Sequence, residues 1–133
     1  MILSNELRRG NWVQSGETTG RVTQLFWNRT ELAIGKEPRI QYKEFNYDHL
    51  QPVPLTPEII HMAGFFRHEL FPHRNAFHHH KYIFNINIVA NTYELSYGLI
   101  QQNVAIIYQR NLFVHQLQNL FYLLTNEELP IVL

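Results

Sequence analysis

Apolar and polar residues alternate in short runs over the first fifty positions, with the period of two that marks a strand with one covered face. Asn11–Gln14 is the first such run, and Ser15-Gly16-Glu17 supplies a turn signal after it. Gly20–Trp27 is β-branched and aromatic, as strands prefer. Glu31–Ile34 places Leu32 and Ile34 on one face, and Arg39–Phe45 alternates again through Ile40 and Tyr42. Asn28-Arg29 turns between the second and third runs, and Gly35–Pro38 breaks the chain after the third. Asp48-His49-Leu50 fits a single 3₁₀ turn.

The second half changes period. Thr56 is a good N-cap, Pro57 suits the first helical position, and Glu58 suits the positive helix end. Ile59, Ile60 and Met62-Ala63 give this helix an apolar side, and Gly64 is a natural C′ residue, so the spacing predicts a short helix over Pro57–Ala63. Three alternating runs follow: Tyr82–Val89, with Phe84, Ile86 and Ile88 opposite Asn85 and Asn87; Thr92–Gly98; and Val104–Gln109. An additional strand fits Ala76–His80. Clean alternation predicts an antiparallel meander with one face covered. The last pattern is helical: Val114, Leu117, Leu120, Phe121 and Leu124 form an apolar stripe, with His115, Gln118, Asn119 and Tyr122 toward the other side and Asn126 at the C-terminal end.

These patterns predict an α+β fold. An N-terminal SH3-like or otherwise small bent β-sheet over residues 1–50 precedes a proline-rich connector, 51–57 (QPVPLTP). Residues 58–133 then hold the short helix, the antiparallel β-meander and the C-terminal helix that covers it. Leu117, Leu120, Phe121 and Leu124 are expected to be buried against Phe84, Ile86, Tyr93, Leu95, Val104 and Ile106, with His115 and Gln118 facing solvent. The halves are expected to pack as one unit, because neither alone makes a generous core.

Composition narrows the function classes. The chain has 133 residues, 45% of them hydrophobic and 14% aromatic, which suits a folded domain. Eleven Lys+Arg balance eleven Asp+Glu, which argues against a general polyanion binder. The absence of Cys excludes disulfides, thiolate metal sites and Cys nucleophiles. The start MILSNELRRG lacks the apolar stretch of a secretory signal, and no run has the roughly 18–20 apolar residues of a membrane span. A cytoplasmic location without membrane association is the expectation.

Three blocks, ELRRGNWV, PVPLTPEII and VHQLQNLFYLLTNEEL, stand in order along the chain. Together they resemble a family of uncharacterised small bacterial proteins, many of them from prophages or mobile elements, with the patterns E-L-R-x-G-N-W-V, P-[IV]-P-L-T-x-E and V-H-Q-L-Q-N-L-[YF]. The closing block is the most specific, and His73–Asn91 has no matching pattern. The resemblance implies an origin and a shared fold; it carries no activity to transfer.

Four candidate chemistries remain. His78 and His80, projecting from one face of a strand, could bind a divalent metal through neutral imidazoles, with His73 or Glu69 completing a site. A solvated strand face without metal is the favoured alternative, and no cofactor is expected. Catalysis is poorly served: Ser4, Ser15 and Ser96 are the three serines, none in a nucleophile-elbow motif, and Asp48 is the only Asp, so no enzyme is expected. Nucleic-acid binding could use Arg8, Arg9, Arg21, Arg29 and Arg39 with Trp12, Phe26 and Trp27, although the charge balance opposes it. Protein interaction could use His115, Gln118, Asn119 and Tyr122 of the C-terminal helix; alternatively Gln116 and Asn119 satisfy loop backbone groups within the monomer. The expected function is that of a non-enzymatic accessory or interaction protein with an undetermined protein partner, as monomer or homodimer, with nucleic-acid binding through the N-terminal sheet as the rival.

Overall fold

A computed structural model describes residues 2, 4–67, 76–97 and 106–133. Among them, ten strands form two five-stranded antiparallel sheets, accompanied by a short helix and one longer helix, so the α+β class expected from the patterns is the class observed. The chain divides into two compact units, Met1–Pro54 with Val114–Glu128 and Leu133, and Leu55–Phe113 with Leu129–Val132.

In the first unit, β1 (Trp12–Ser15), β2 (Thr18–Leu25), β3 (Arg29–Ile34) and β4 (Gln41–Asn46) follow one another as a meander. A 3₁₀ turn at Tyr47–His49 then leads into β5 (Gln51–Pro52), which pairs with the free side of β1 to give the order β4-β3-β2-β1-β5. Part of the proline-rich stretch therefore serves as an edge strand, the place in a sheet where a missing N–H is tolerated. Val22 pairs with Leu32, and a register shift between Val22 and Gln24 bends the sheet. Ile2, Leu7, Val13, Val22, Leu32 and Leu50 form the core, with Ile34, Phe45 and Tyr47 packed against it.

The longer helix, α2 (Val114–Thr125), belongs to this unit and contacts β1. The Val114 amide donates to the Val53 carbonyl at 3.0 Å. Val114, Leu117 and Phe121 are buried as the apolar stripe requires, whereas Leu120 is half-buried and Leu124 is exposed. The polar face of α2, described below, bonds the N-terminal segment of the same unit.

The second unit opens with α1 (Pro57–Met62), capped by the Thr56 hydroxyl, which accepts from the Ile59 amide at 3.2 Å. Gly64 follows the helix with φ +95°, and a Cβ there would lie 2.8 Å from His80 Nδ1, so both the backbone conformation and the space require glycine. The strands are β6 (Phe65–Arg67), β7 (Ala76–His79), β8 (Phe84–Val89), β9 (Thr92–Tyr97) and β10 (Ile106–Gln109), in the order β10-β9-β8-β7-β6. Ala90 and Asn91, both at positive φ, make the two-residue turn between β8 and β9. Phe77, Ile86 and Leu95 are register neighbours and buried. Asn85 and Ser96, also paired, are buried as well, so the polar face of this sheet is not the solvated face that its alternation suggested. No helix among the described residues is long and apolar enough to cross a membrane.

Candidate functional site: a polar clasp and an exposed hairpin tip

Residues 6–12 leave the 3₁₀ turn at Ser4–Glu6 and reverse direction at Gly10, whose φ is +91°, before entering β1. Such a reversal leaves backbone groups that neither helix nor sheet can satisfy, and buried ones need partners. α2 provides them. Gln118 Oε1 accepts from the Trp12 amide at 2.9 Å, and Gln118 Nε2 donates to the Gly10 carbonyl at 2.9 Å. Asn119 Nδ2 donates to the Glu6 carbonyl at 2.7 Å. Asn119 Oδ1 accepts from Asn11 Nδ2 at 2.8 Å and from Arg8 Nε at 3.2 Å. Asn11 is fully buried, and its Oδ1 accepts from the Arg8 amide at 2.8 Å.

Arg8 and His115 complete this clasp. The Arg8 guanidinium pairs with the Glu128 carboxylate and lies 4.4 Å from the Tyr122 ring centroid. His115 Nε2 faces Glu6 Oε2 at 3.7 Å. His115, Gln118, Asn119 and Tyr122 stand at i, i+3, i+4 and i+7, one face of a helix, and all four address the N-terminal segment. This is the face that the sequence offered to an outside partner. Gln118 is only 3% exposed and His115 2%, contrary to the solvent-facing positions expected, because the unit's own backbone is their partner. What the helix leaves at the surface is Tyr122, with Leu123 and Leu124 beside it. The blocks ELRRGNWV and VHQLQNLF are therefore the two sides of one internal contact.

The opposite situation holds at the β2–β3 turn. The Phe26 amide donates to the Arg29 carbonyl at 2.8 Å, closing a two-residue turn with Trp27 and Asn28 at its tip. The tip is braced: the Tyr47 hydroxyl donates to the Phe26 carbonyl, the Arg29 guanidinium lies 4.8 Å from the Phe26 ring centroid, and Arg29 Nε pairs with Glu44 Oε2 at 2.8 Å. Trp27 itself is 89% exposed, and Leu25 at the end of β2 is exposed too.

The basic residues assigned to nucleic-acid binding do not gather around that indole. Arg8 is bound within the clasp, and Arg29 is paired with Glu44. Arg9 and Arg21 are exposed, but Arg21 lies six residues up β2 from Trp27, about 20 Å at strand rise.

His78, His79 and His80 serve the packing of the second unit. His79 is buried, with its ring 4.9 Å from Phe65, and its Nδ1 accepts from the amides of Lys81 and Tyr82 at 3.1 and 3.3 Å. His80 Nδ1 lies 3.1 Å from the Gly64 carbonyl oxygen, and His78 lies against Phe66. His73 and Glu69 fall outside the described residues. Among the described residues no three His, Asp or Glu side chains come together as metal ligands would.

Comparison with family models, with curated proteins and with solved structures finds no match to this chain.

Proposed function

We propose that this chain is a non-enzymatic protein-interaction module whose contact centre is Trp27 at the tip of the β2–β3 hairpin. The observation that carries this reading is an indole almost wholly in water on a turn held by Tyr47, Phe26, Arg29 and Glu44. An exposed Trp forfeits one of the largest burial gains any side chain offers, and Trp dominates the energetic centres of protein interfaces. A braced tip has little motion left to lose on association, which lowers the cost of binding. The connectivity β4-β3-β2-β1-β5, with one 3₁₀ turn before β5, supports an SH3-like description of the unit, a type of barrel that presents aromatic residues to peptides or nucleic acids. The separation of Arg21 from Trp27, with Arg8 and Arg29 already paired with carboxylates, favours the protein partner over the nucleic acid. The resemblance of the three sequence blocks supports an accessory role in a prophage or mobile element.

The test compares affinity capture by the wild-type chain and by Trp27→Ala, with oligonucleotide binding measured across salt. Loss of specific partners in Trp27→Ala, with the denaturation midpoint kept, is the expected result. Retention of the same partners overturns the assignment to Trp27. Binding to oligonucleotides that weakens steeply with salt would favour the rival, since phosphate contacts release counterions.

A further inference from the structure

The clasp has one member whose chemistry its packing does not explain. Gln118 and Asn119 each bond through both the oxygen and the nitrogen of the amide, and Arg8 has its carboxylate. His115 is buried with neither ring nitrogen within hydrogen-bond reach of a partner, although buried polar atoms are nearly always satisfied. The nearest charged group is Glu6, whose side chain remains 43% exposed on the far side. We propose that His115 and Glu6 form a proton-operated latch: while the imidazole is neutral the N-terminal segment stays clasped to α2, and protonation of His115 releases it.

The direction follows from the surroundings. A buried imidazolium needs a strong counter-charge, and Glu6, partly in water, is a screened one. Among the described residues only Glu6 pairs with the His115 ring. α2 carries no Asp, Glu, Lys or Arg, β1 carries none, Arg8 is held by Glu128, and Arg9 is exposed. The imidazolium therefore gains most by reaching water, and Glu6 stands beside it. Moving Glu6 also breaks the bond from Asn119, one turn further along α2, to the Glu6 carbonyl. The site affected is an open groove of about 430 Å³ lined in part by Glu6, Arg8, Asn119 and Tyr122.

Burial holds His115 below its ordinary pKa of 6.5, and the Glu6 carboxylate opposes this only partly. A base whose folded pKa lies below its unfolded value binds fewer protons when folded. Its contribution to stability is complete above about pH 6.5 and is lost as the pH falls from there through the folded value.

Trp12 reports on the latch, because its amide is bonded to Gln118 and its side chain is 8% exposed. In full-length Trp27→Phe it is the sole indole. Between pH 7.5 and pH 5.0, its emission should shift red and the amides of residues 6–12 should lose protection from hydrogen exchange, after correction for intrinsic rates. Adding His115→Gln should abolish both responses. Identical emission and protection at the two pH values, or a response that survives His115→Gln, overturns the latch. Should His115→Gln not fold, Glu6→Gln decides. Without its counter-charge His115 protonates less readily, so the response should move to lower pH, and an unmoved midpoint overturns the proposal.

Discussion

Gln118 and Trp27 exchange the places their chemistry assigns them. A glutamine on the polar side of a helix is buried in the clasp, and a tryptophan at a hairpin tip stands in water. The difference lies in the local demand for hydrogen bonds. The reversal at residues 6–12 exposes backbone groups that only side-chain amides can satisfy, so α2 spends its polar face inward. The β2–β3 turn closes its own backbone bonds and is braced from behind, so Trp27 has no structural task. A polar residue inside is thus explained by the fold, whereas the apolar residue outside points beyond it.

The contrast can be broken at either end. The largest effect is expected from Phe121→Ala, which removes a buried ring from α2 and should cost about 3–5 kcal/mol in denaturant unfolding. An unchanged midpoint would mean that the buried Phe121 ring contributes nothing to stability. Gln118→Ala should cost about 1–3 kcal/mol, because the Trp12 amide and Gly10 carbonyl lose their partner. Gln118→Glu sharpens the point, since a carboxylate can accept from the Trp12 amide but cannot donate to Gly10, and it should be less stable than wild type at neutral pH. Arg8→Ala should cost about 1 kcal/mol, the scale of a partly exposed ion pair and a cation–π contact together, and part of that loss should vanish at high salt. The smallest effect belongs to Trp27→Ala, expected within about 0.5 kcal/mol of wild type. A cost of several kcal/mol there would make Trp27 a structural residue and remove the basis of the proposed interface.

Much of the architecture was legible along the chain. Local sequence patterns located eight of the ten described strands, Thr56-Pro57 and Gly64 bracketed α1, and the Val114–Leu117–Phe121 spacing identified α2. These signals are local, since strand and helix periods express which face is covered whatever covers it. β5 and β6 escaped notice because each is too short to show a period: two residues in a proline-rich stretch, and three directly after Gly64. Trp27 was named beside the arginines as part of a nucleic-acid surface, with Trp12 set apart as a core residue, but its isolation at a hairpin tip was not legible in the sequence.

The sequence by itself determined where both helices and all but the two shortest strands form, because backbone preference and one-sided burial act over a few residues. Tertiary structure alone decided which segment receives the polar face of α2 and which tryptophan reaches solvent. Those outcomes depend on unpaired backbone groups at Glu6, Gly10 and Trp12, more than one hundred positions away from the amides that satisfy them, and no local pattern records such a pairing.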